Sequence, residues 1–282
     1  MAESQGDRKD WPPLPSRRRP RRTSPLLTIR TPIPGRARWV LMVLSFAIPF
    51  TAWLILSEAR IVEPRFLPTP GAAFSALWDM ARSGQLWTDT WDTVRRILLG
   101  FGLGVLVSVP IGFTMGSFQA GRALLEPVLG LVRYLPAPAF IPLLLIWLGI
   151  DEAPKIALLF FGTVFFNMLM VADVVRQVPM PMINVSYTLG ARRGEVLRKV
   201  VLPHSLPGMI DTIRVNIAAA WNFVVVAELV SSTTGLGRRI MQAQRFQHTD
   251  EIFAILIVIG VLGVLIDVAL RLIRTQVGRW VV

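Results

Sequence analysis

Long apolar runs alternate with short polar connections along the chain. Two of these runs, residues 39–56 and 252–270, approach the about 20 residues that a helix needs to cross the hydrocarbon of a bilayer. A barrel strand would alternate lipid-facing and inward-facing residues, whereas these runs are continuous. The pattern predicts an all-α integral membrane protein.

Six spans fit this pattern, namely residues 39–57, 97–116, 125–148, 153–175, 209–230 and 252–270. A short amphipathic helix is predicted after the proline-rich turn that follows span 1. In span 2, Gly100 with Gly104 and Gly112 with Gly116 form G-x-x-x-G pairs, which let another helix approach closely. Pro110 is expected to kink the same span.

Composition supports a lipid environment and excludes some chemistry. The chain is 53% hydrophobic and 17% charged, with a mean hydropathy of +0.54, whereas soluble domains have about a quarter of their residues charged. Because there is no cysteine, disulfides, thiolate nucleophiles and cysteine-ligated metals are excluded.

Charge predicts the orientation. The formal charge is +12, and the densest basic cluster, residues 17–22, precedes span 1. Residues 1–38 are predicted to be a disordered cytoplasmic tail that touches anionic lipids, followed by a six-span domain over 39–282 with its core at 88–275. Both termini are then cytoplasmic by the positive-inside rule, a better explanation of the charge than nucleic acid. Several basic residues fall on or near the other side: Arg60, Arg65, Arg82, Arg95, Arg96, Lys155, Arg238, Arg239 and Arg245.

A basic, glycine-interrupted stretch separates spans 4 and 5. Over residues 191–201 a helical projection puts four apolar side chains on one face, while Glu195 is placed to pair with Lys199. Gly190 is expected to form a hinge or left-handed cap, and Pro203 and Pro207 are expected to end the helix. A docking element and an ordinary interfacial loop explain the stretch equally well. The apolar four are Val196, Leu197, Val200 and Val201.

The same stretch resembles the signature cytoplasmic loop of ABC importer permeases. Gly190 is followed after nine residues by Val200, Val201, Leu202 and Pro203, while Asn184, Val185 and Ser186 stand where most family members have Glu-Ala-Ala. The resemblance covers most of residues 66–280 and is closest to the permeases for sulfonates, taurine, nitrate and bicarbonate. Its other landmarks are "FLPTP", "RSGQLW", "VRYLPAPAFIPLLLIWLG", "AELV", "GLG" and "TDEIFAILIVIGVLGVLID".

This resemblance implies a type I ABC importer permease fold in the bacterial inner membrane. It implies a homodimer that binds two cytoplasmic ATPase subunits and an external solute-binding protein and passes a small anion, with sulfonate-like solutes favoured and nitrate or bicarbonate as alternatives. A coupling helix between spans 4 and 5 would seat in the ATPase. The implied coupling residues are Leu189, Gly190, Ala191, Arg192, Arg193, Glu195, Val200, Leu202 and Pro203.

Polar residues within the spans are candidates for the pathway, because ionisable groups there are costly. Arg133 in span 3 is expected to attract an anion. Span 5 is predicted to line the pathway through Asn216, Trp221, Asn222 and Glu228, although packing between helices explains these residues equally well. Asp211 is expected to pair locally with Arg214, and Asp173 and Asp267 with basic neighbours.

An enzyme is disfavoured, because the spans offer no His, Cys or paired-carboxylate constellation. The sequence contains no G-x-x-x-x-G-K-[ST] phosphate loop, so ATP and Mg²⁺ are expected in the partner ATPase and no cofactor in this chain. His204 and His248 lack metal-ligand spacing. The competing function is a secondary transporter driven by an ion gradient, which would need ion-coordinating carboxylates and usually an internal repeat.

Overall fold

A computed structural model describes residues 33–278, and within that range every regular element is helical. The helices are α1 (Gly35–Glu58), α2 (Pro70–Arg82), α3 (Gln85–Ser117), α4 (Gln119–Val132), α5 (Ile141–Leu148), α6 (Ala153–Arg176), α7 (Met180–Thr188), α8 (Arg193–Val196), α9 (Leu202–Ser231), α10 (Leu236–Arg245) and α11 (Thr249–Val277). A 3-10 turn, Ala137–Phe140, precedes α5, and a π-helical turn, Leu197–Val201, joins α8 to α9.

The first compact unit of the chain ends at Trp53 and the second begins at Leu54. Helix α1, which begins in the first unit, is long and apolar enough to cross a membrane. Its most apolar 18 residues have a mean hydropathy of 2.2. This agrees with the predicted span 1, but the helix begins at Gly35, inside the predicted tail. Residues 1–32, the rest of that tail, lie outside the described residues.

The second unit contains the other predicted spans. Four further stretches are also long and apolar enough to cross a membrane, namely α3, α6, α11 and the continuous helical stretch Arg193–Ser231. With α1 this gives five membrane-length helices in the described part of the chain, or six if α4 and α5 form one span. The six-span prediction is therefore supported, and the difference lies in span 3.

Span 3 is broken rather than straight. The axis turns by 80° between α4 and the helical stretch that ends at Leu148. Pro136, Pro138 and Pro142 lie at the break; none has an N–H to donate, and each proline ring disfavours helical geometry in the residue before it. The predicted span over residues 125–148 therefore consists of two helical segments joined at a bend.

Glycines on α3 let it lie directly against α6. A Cβ atom at Gly100 would lie 2.6 Å from the Leu159 Cβ, and one at Gly112 would lie 2.6 Å from the carbonyl oxygen of Met168. Gly104 and Gly116 face α6 in the same way. The predicted close approach of a second helix is therefore confirmed. Pro110 lies inside α3, which stays helical from Gln85 to Ser117.

Two shorter helices complete the second unit. The predicted amphipathic helix is α2, which is capped by Thr69 accepting a hydrogen bond from the Ala72 N–H at 3.2 Å. Its apolar face packs against Leu236 of α10 and Ile255 of α11. Helix α10 lies in the connection between the predicted spans 5 and 6.

The predicted stop at Pro203 and Pro207 is wrong. Helical structure continues from Arg193 to Ser231, with both prolines inside it. The π-helical turn over Leu197–Val201 shifts the backbone hydrogen bonds just before Pro203, which relieves the clash of its ring with the preceding turn. The basic stretch is therefore the start of span 5 and not a separate helix.

Candidate functional site

An exposed corner stands between spans 4 and 5, and we call helix α7 with Leu189 and Gly190 the α7 corner. Gly190 has φ = +82°, a left-handed conformation that favours glycine, so the predicted cap at this position is confirmed. Leu189 is 82% exposed. Helix α7 adds four exposed hydrophobic side chains: Met180, Met182, Val185 and Tyr187.

The residues after the corner have two faces, as predicted. Val196 and Val201 are buried, and Leu197 and Val200 pack against the same cluster as Val171 and Val175 of α6. On the other face Glu195 accepts a hydrogen bond from the Arg192 N–H at 2.9 Å, and its carboxylate lies 3.5 Å from Lys199. The apolar face therefore anchors the corner to the bundle and leaves the charged face exposed.

The other predicted coupling residues divide between these environments. Arg192 and Arg193 are exposed, Ala191 is half-buried beside the apolar cluster, and Leu202 and Pro203 form the first turn of α9. The tripeptide at Asn184, Val185 and Ser186 lies within α7. The exposed part of the segment thus extends further back along the chain than the predicted helix over residues 190–199.

A cavity of about 450 Å³ lies beside the broken span. The break contributes Arg133 and Tyr134, and the rest of the wall is apolar and rich in aromatic rings: Phe140, Trp147, Phe161, Phe165, Phe166 and Phe223. Arg133 is exposed and donates a hydrogen bond to the Tyr134 hydroxyl at 3.1 Å. It has no carboxylate partner among residues 33–278. Its positive charge is thus available at the mouth of an apolar cavity.

The span 5 candidates occupy three different environments. Asn216 is buried and donates a hydrogen bond to the Asn167 side-chain oxygen of α6 at 2.7 Å. Trp221 is buried in the core with Ile97 and Phe101 of α3. Asn222 is exposed and donates a long hydrogen bond, 3.3 Å, to the Ala218 carbonyl within α9. Of these three, only Asn222 is exposed.

Glu228 lies in a buried ion-pair network that we call the Arg96 network. The Arg96 guanidinium, 1% exposed, donates to Glu228 at 2.7 Å and to both oxygens of Glu152 at 2.7 and 2.8 Å. Glu228 also accepts hydrogen bonds from the Thr93 hydroxyl at 2.8 Å and the Gly237 N–H at 2.8 Å. Every bond ties Glu228 to its neighbours, which leaves it no free oxygen directed at a solute.

The same network holds the turn before α10. Asp89 of α3 accepts a hydrogen bond from the Gly235 N–H at 2.9 Å and pairs with Arg239 at 2.6 Å. Gly235 has φ = +115°, and a Cβ there would lie 2.5 Å from the Glu228 carboxyl carbon. The "GLG" turn is therefore glycine-rich because it lies directly on the ion pair.

Glu152 is the second carboxylate of the Arg96 network. It lies just before α6, at the end of a span. Hydrogen bonds from Arg96 lower the pKa of Glu152 to about 2, with Lys155 acting in the same direction against the cost of burial. The group is therefore ionised throughout the neutral range and holds Arg96 and Lys155 together.

Sequence reasoning missed this network, although it had a signal for it. Arg96, Lys155 and Arg239 were exceptions to the positive-inside pattern, and each now has a carboxylate partner. Arg95 lies 3.7 Å from Glu152. Residues that break the charge pattern in the sequence are thus the ones that the structure pairs with carboxylates.

The predicted local pairs are confirmed. Asp211 lies 3.5 Å from Arg214, and Asp267 and Asp173 pair with Arg214 and Arg176 respectively. No group of three His, Asp or Glu residues with metal-ligand geometry occurs within the described range. His248 instead lies 3.2 Å from Glu251.

Membrane-length helices, one of them broken beside a cavity, and an exposed corner between two of them define a polytopic helical membrane protein. Comparison with known proteins assigns the family. The chain belongs to the binding-protein-dependent transport system inner membrane components, whose family model matches residues 104–282.

Individual relatives agree with this assignment. A probable ABC transporter permease of Brucella melitensis is 35% identical over 240 residues, 85% of this chain and 96% of the relative. The taurine transport system permease TauC of Escherichia coli is 32% identical over 244 residues, 84% of this chain and 88% of the relative. Other relatives are described as permeases for aliphatic sulfonates and bicarbonate.

A solved structure shares the fold. An inward-facing form of the MetNI methionine ABC transporter aligns with a TM-score of 0.60 at 22% identity, covering 68% of this chain and 97% of the solved chain. The predicted ABC importer permease fold is confirmed.

Proposed function

We propose that the chain is the permease subunit of an ATP-driven importer and forms the pathway for a small anion delivered by an external solute-binding protein. The observation that carries this proposal is the α7 corner, an apolar, exposed element anchored to the bundle between two spans. Soluble surfaces rarely leave so many large apolar side chains together without a partner. In a family of ABC permeases, that partner is a separate ATPase subunit.

The corner has the properties of a force-transmitting contact. Leu189 and Val185 offer an apolar centre, while Arg192, Arg193 and Glu195 supply charges around it. The buried face of Val196 and Val201 connects the corner rigidly to α6 and to the start of α9. A push on the corner is therefore transmitted to two spans. Asn184, in place of the usual acidic residue, removes one charge from this contact.

For the pathway we propose the surface around Arg133 and Asn222. Arg133 raises the local concentration of anions without a counter-ion to neutralise it, and the aromatic wall beside it excludes water. Asn216, Trp221 and Glu228 shape this surface from behind, because each is buried in contacts with neighbouring helices.

The names of the relatives support a class of solute and a type of assembly. A taurine permease and aliphatic sulfonate permeases are among them, which favours a sulfonate-like anion over nitrate or bicarbonate. We infer a homodimer with two ATPase subunits, which hold the ATP and Mg²⁺, in a bacterial inner membrane with both termini in the cytoplasm.

Uptake into proteoliposomes tests this function. Taurine should accumulate against its gradient only when the chain is reconstituted with the ATPase, ATP and the binding protein. Arg133→Ala should abolish that uptake while the complex still assembles, because the anion-attracting charge is lost. Accumulation by the chain alone under an ion gradient would instead indicate a secondary transporter, and unchanged uptake by Arg133→Ala would reject the pathway role.

A further inference from the structure

A second cavity, also of about 450 Å³, lies where α3 and α6 end against α7 and α8. We call it the α7 cavity. It shares no lining residue with the cavity at the broken span. Its walls come from the ends of α3 and α6, from α7 and from the Arg193–Val201 stretch, so it lies directly under the α7 corner.

The charged groups on its wall are both positive. The Arg193 guanidinium stacks 4.2 Å above the Phe118 ring and has no carboxylate partner among the described residues. Arg176 has one partner, Asp173, at 3.7 Å, and Asp173 does not line the cavity. Two guanidinium groups facing one cavity with no carboxylate on its wall favour an anion.

One hydroxyl group on the same wall is free to donate. Tyr187 is exposed, and its hydroxyl makes no hydrogen bond to any described residue. A hydroxyl donor beside two arginines adds to the preference for an anion with several acceptor oxygens.

The floor of the cavity is apolar. Val175, Val178, Val196 and Val201 line it, and all four are buried in one hydrophobic cluster. A bare inorganic ion would leave this floor in contact with water, whereas an anion with a short apolar group covers it. The positive wall thus favours the anionic group of a ligand, and the apolar floor favours its apolar group.

We propose that the α7 cavity binds a phosphate- or sulfonate-type oxyanion that carries an apolar group. Two sources offer this chemistry, namely the headgroup region of an anionic lipid and a free organic anion in solution. Either ligand would bridge the end of α6 to α7 and stiffen the α7 corner. This inference concerns a site outside the pathway and does not require the proposed transport function.

Hydrogen exchange on the purified full chain in phosphatidylcholine nanodiscs tests the site, with 1-butanesulfonate as the probe. We expect the probe to slow exchange in peptides covering residues 176–201. Arg193→Gln should weaken its binding by about tenfold or more, since a charge-assisted hydrogen bond is lost. Arg198→Gln removes the same charge from an exposed position that does not line the cavity, and should leave binding unchanged.

Nanodiscs with equimolar phosphatidylglycerol and phosphatidylcholine separate the two sources. If phosphatidylglycerol slows exchange in residues 176–201 and blocks the probe, the ligand is the lipid headgroup; if the probe acts equally in both membranes, it is a free anion. Arg176→Gln, which removes the other positive charge of the wall, should weaken binding even if Arg193→Gln fails to fold. Protection absent in both membranes, or unaltered by both variants, would overturn the proposal.

Discussion

Arg96 joins distant parts of the chain through one guanidinium group. It belongs to α3, yet it binds Glu152 before α6, Glu228 near the end of α9 and the Thr234 carbonyl before α10. Arg95, the preceding residue, has a side chain that is 47% exposed. Its guanidinium lies 3.7 Å from a single carboxylate, that of Glu152. Two adjacent arginines of the same type thus have very different energetic roles.

Arg96→Met is expected to lower the free energy of unfolding by about 3–5 kcal/mol, because it leaves the buried Glu228 carboxylate without its counter-ion. Arg95→Met, the matched control, should cost at most about 1 kcal/mol, as exposed ion pairs do. Thermal unfolding of the two variants in detergent measures the difference. Equal losses in both variants would show that the Arg96 network does not hold the helices together.

The Arg96 network should also respond to acid through Glu152. Its pKa of about 2 lies below the roughly 4.3 of an unfolded glutamate, so its stabilising contribution is present above about pH 4.3 and is lost as the pH falls toward 2. Glu152→Gln should therefore reduce the thermal stability at pH 7 but progressively less below pH 4.3. A wild-type advantage that stays constant down to pH 2 would contradict this assignment.

At the scale of elements, contact between α3 and α6 depends on which face a glycine occupies. Gly112 points at α6, where a Cβ would meet the Met168 carbonyl and the Val171 side chain. Gly102 belongs to the same helix, but a Cβ there would meet nothing within 4 Å. The two positions therefore separate helix packing from intrinsic helix propensity.

Gly112→Ala is expected to destabilise the protein by about 1–3 kcal/mol, because the added methyl group forces the helices apart. Gly102→Ala should be neutral or stabilising by up to about 1 kcal/mol, since alanine is the better helix former. Thermal unfolding in detergent compares them. Destabilisation by Gly102→Ala, or tolerance of Gly112→Ala, would refute the observed packing.

The sequence predicted elements well where the signal is local. Spans 1, 2, 4, 5 and 6 were identified because hydropathy along a single helix decides its place in the membrane. The break in span 3 and the continuation of the helix through Pro203 were not predicted. The direction of a proline-containing segment depends on local backbone adjustment and on its neighbours. The Arg96 network was missed because its partners are 56 and 132 residues away in sequence.

At the scale of the molecule, the proposed docking corner and the proposed pathway share one set of helices. The α7 corner is connected to α6 and α9, and these same two helices contribute Phe161 and Phe223 to the cavity beside Arg133. If both proposals hold, motion imposed on the corner reaches the pathway through these two helices. The sequence predicted the segment after Gly190, whereas the exposed apolar side chains of α7 are evident only in the structure.

Co-purification with the ATPase subunit of the same transport system tests this account most directly. Leu189→Asp should reduce the recovered ATPase by about tenfold or more, because it places a charge at the apolar centre of the contact. Phe246→Asp, which alters a similarly exposed apolar residue beyond α10, should leave recovery unchanged. Full recovery with Leu189→Asp, or loss with Phe246→Asp alone, would contradict docking at the α7 corner.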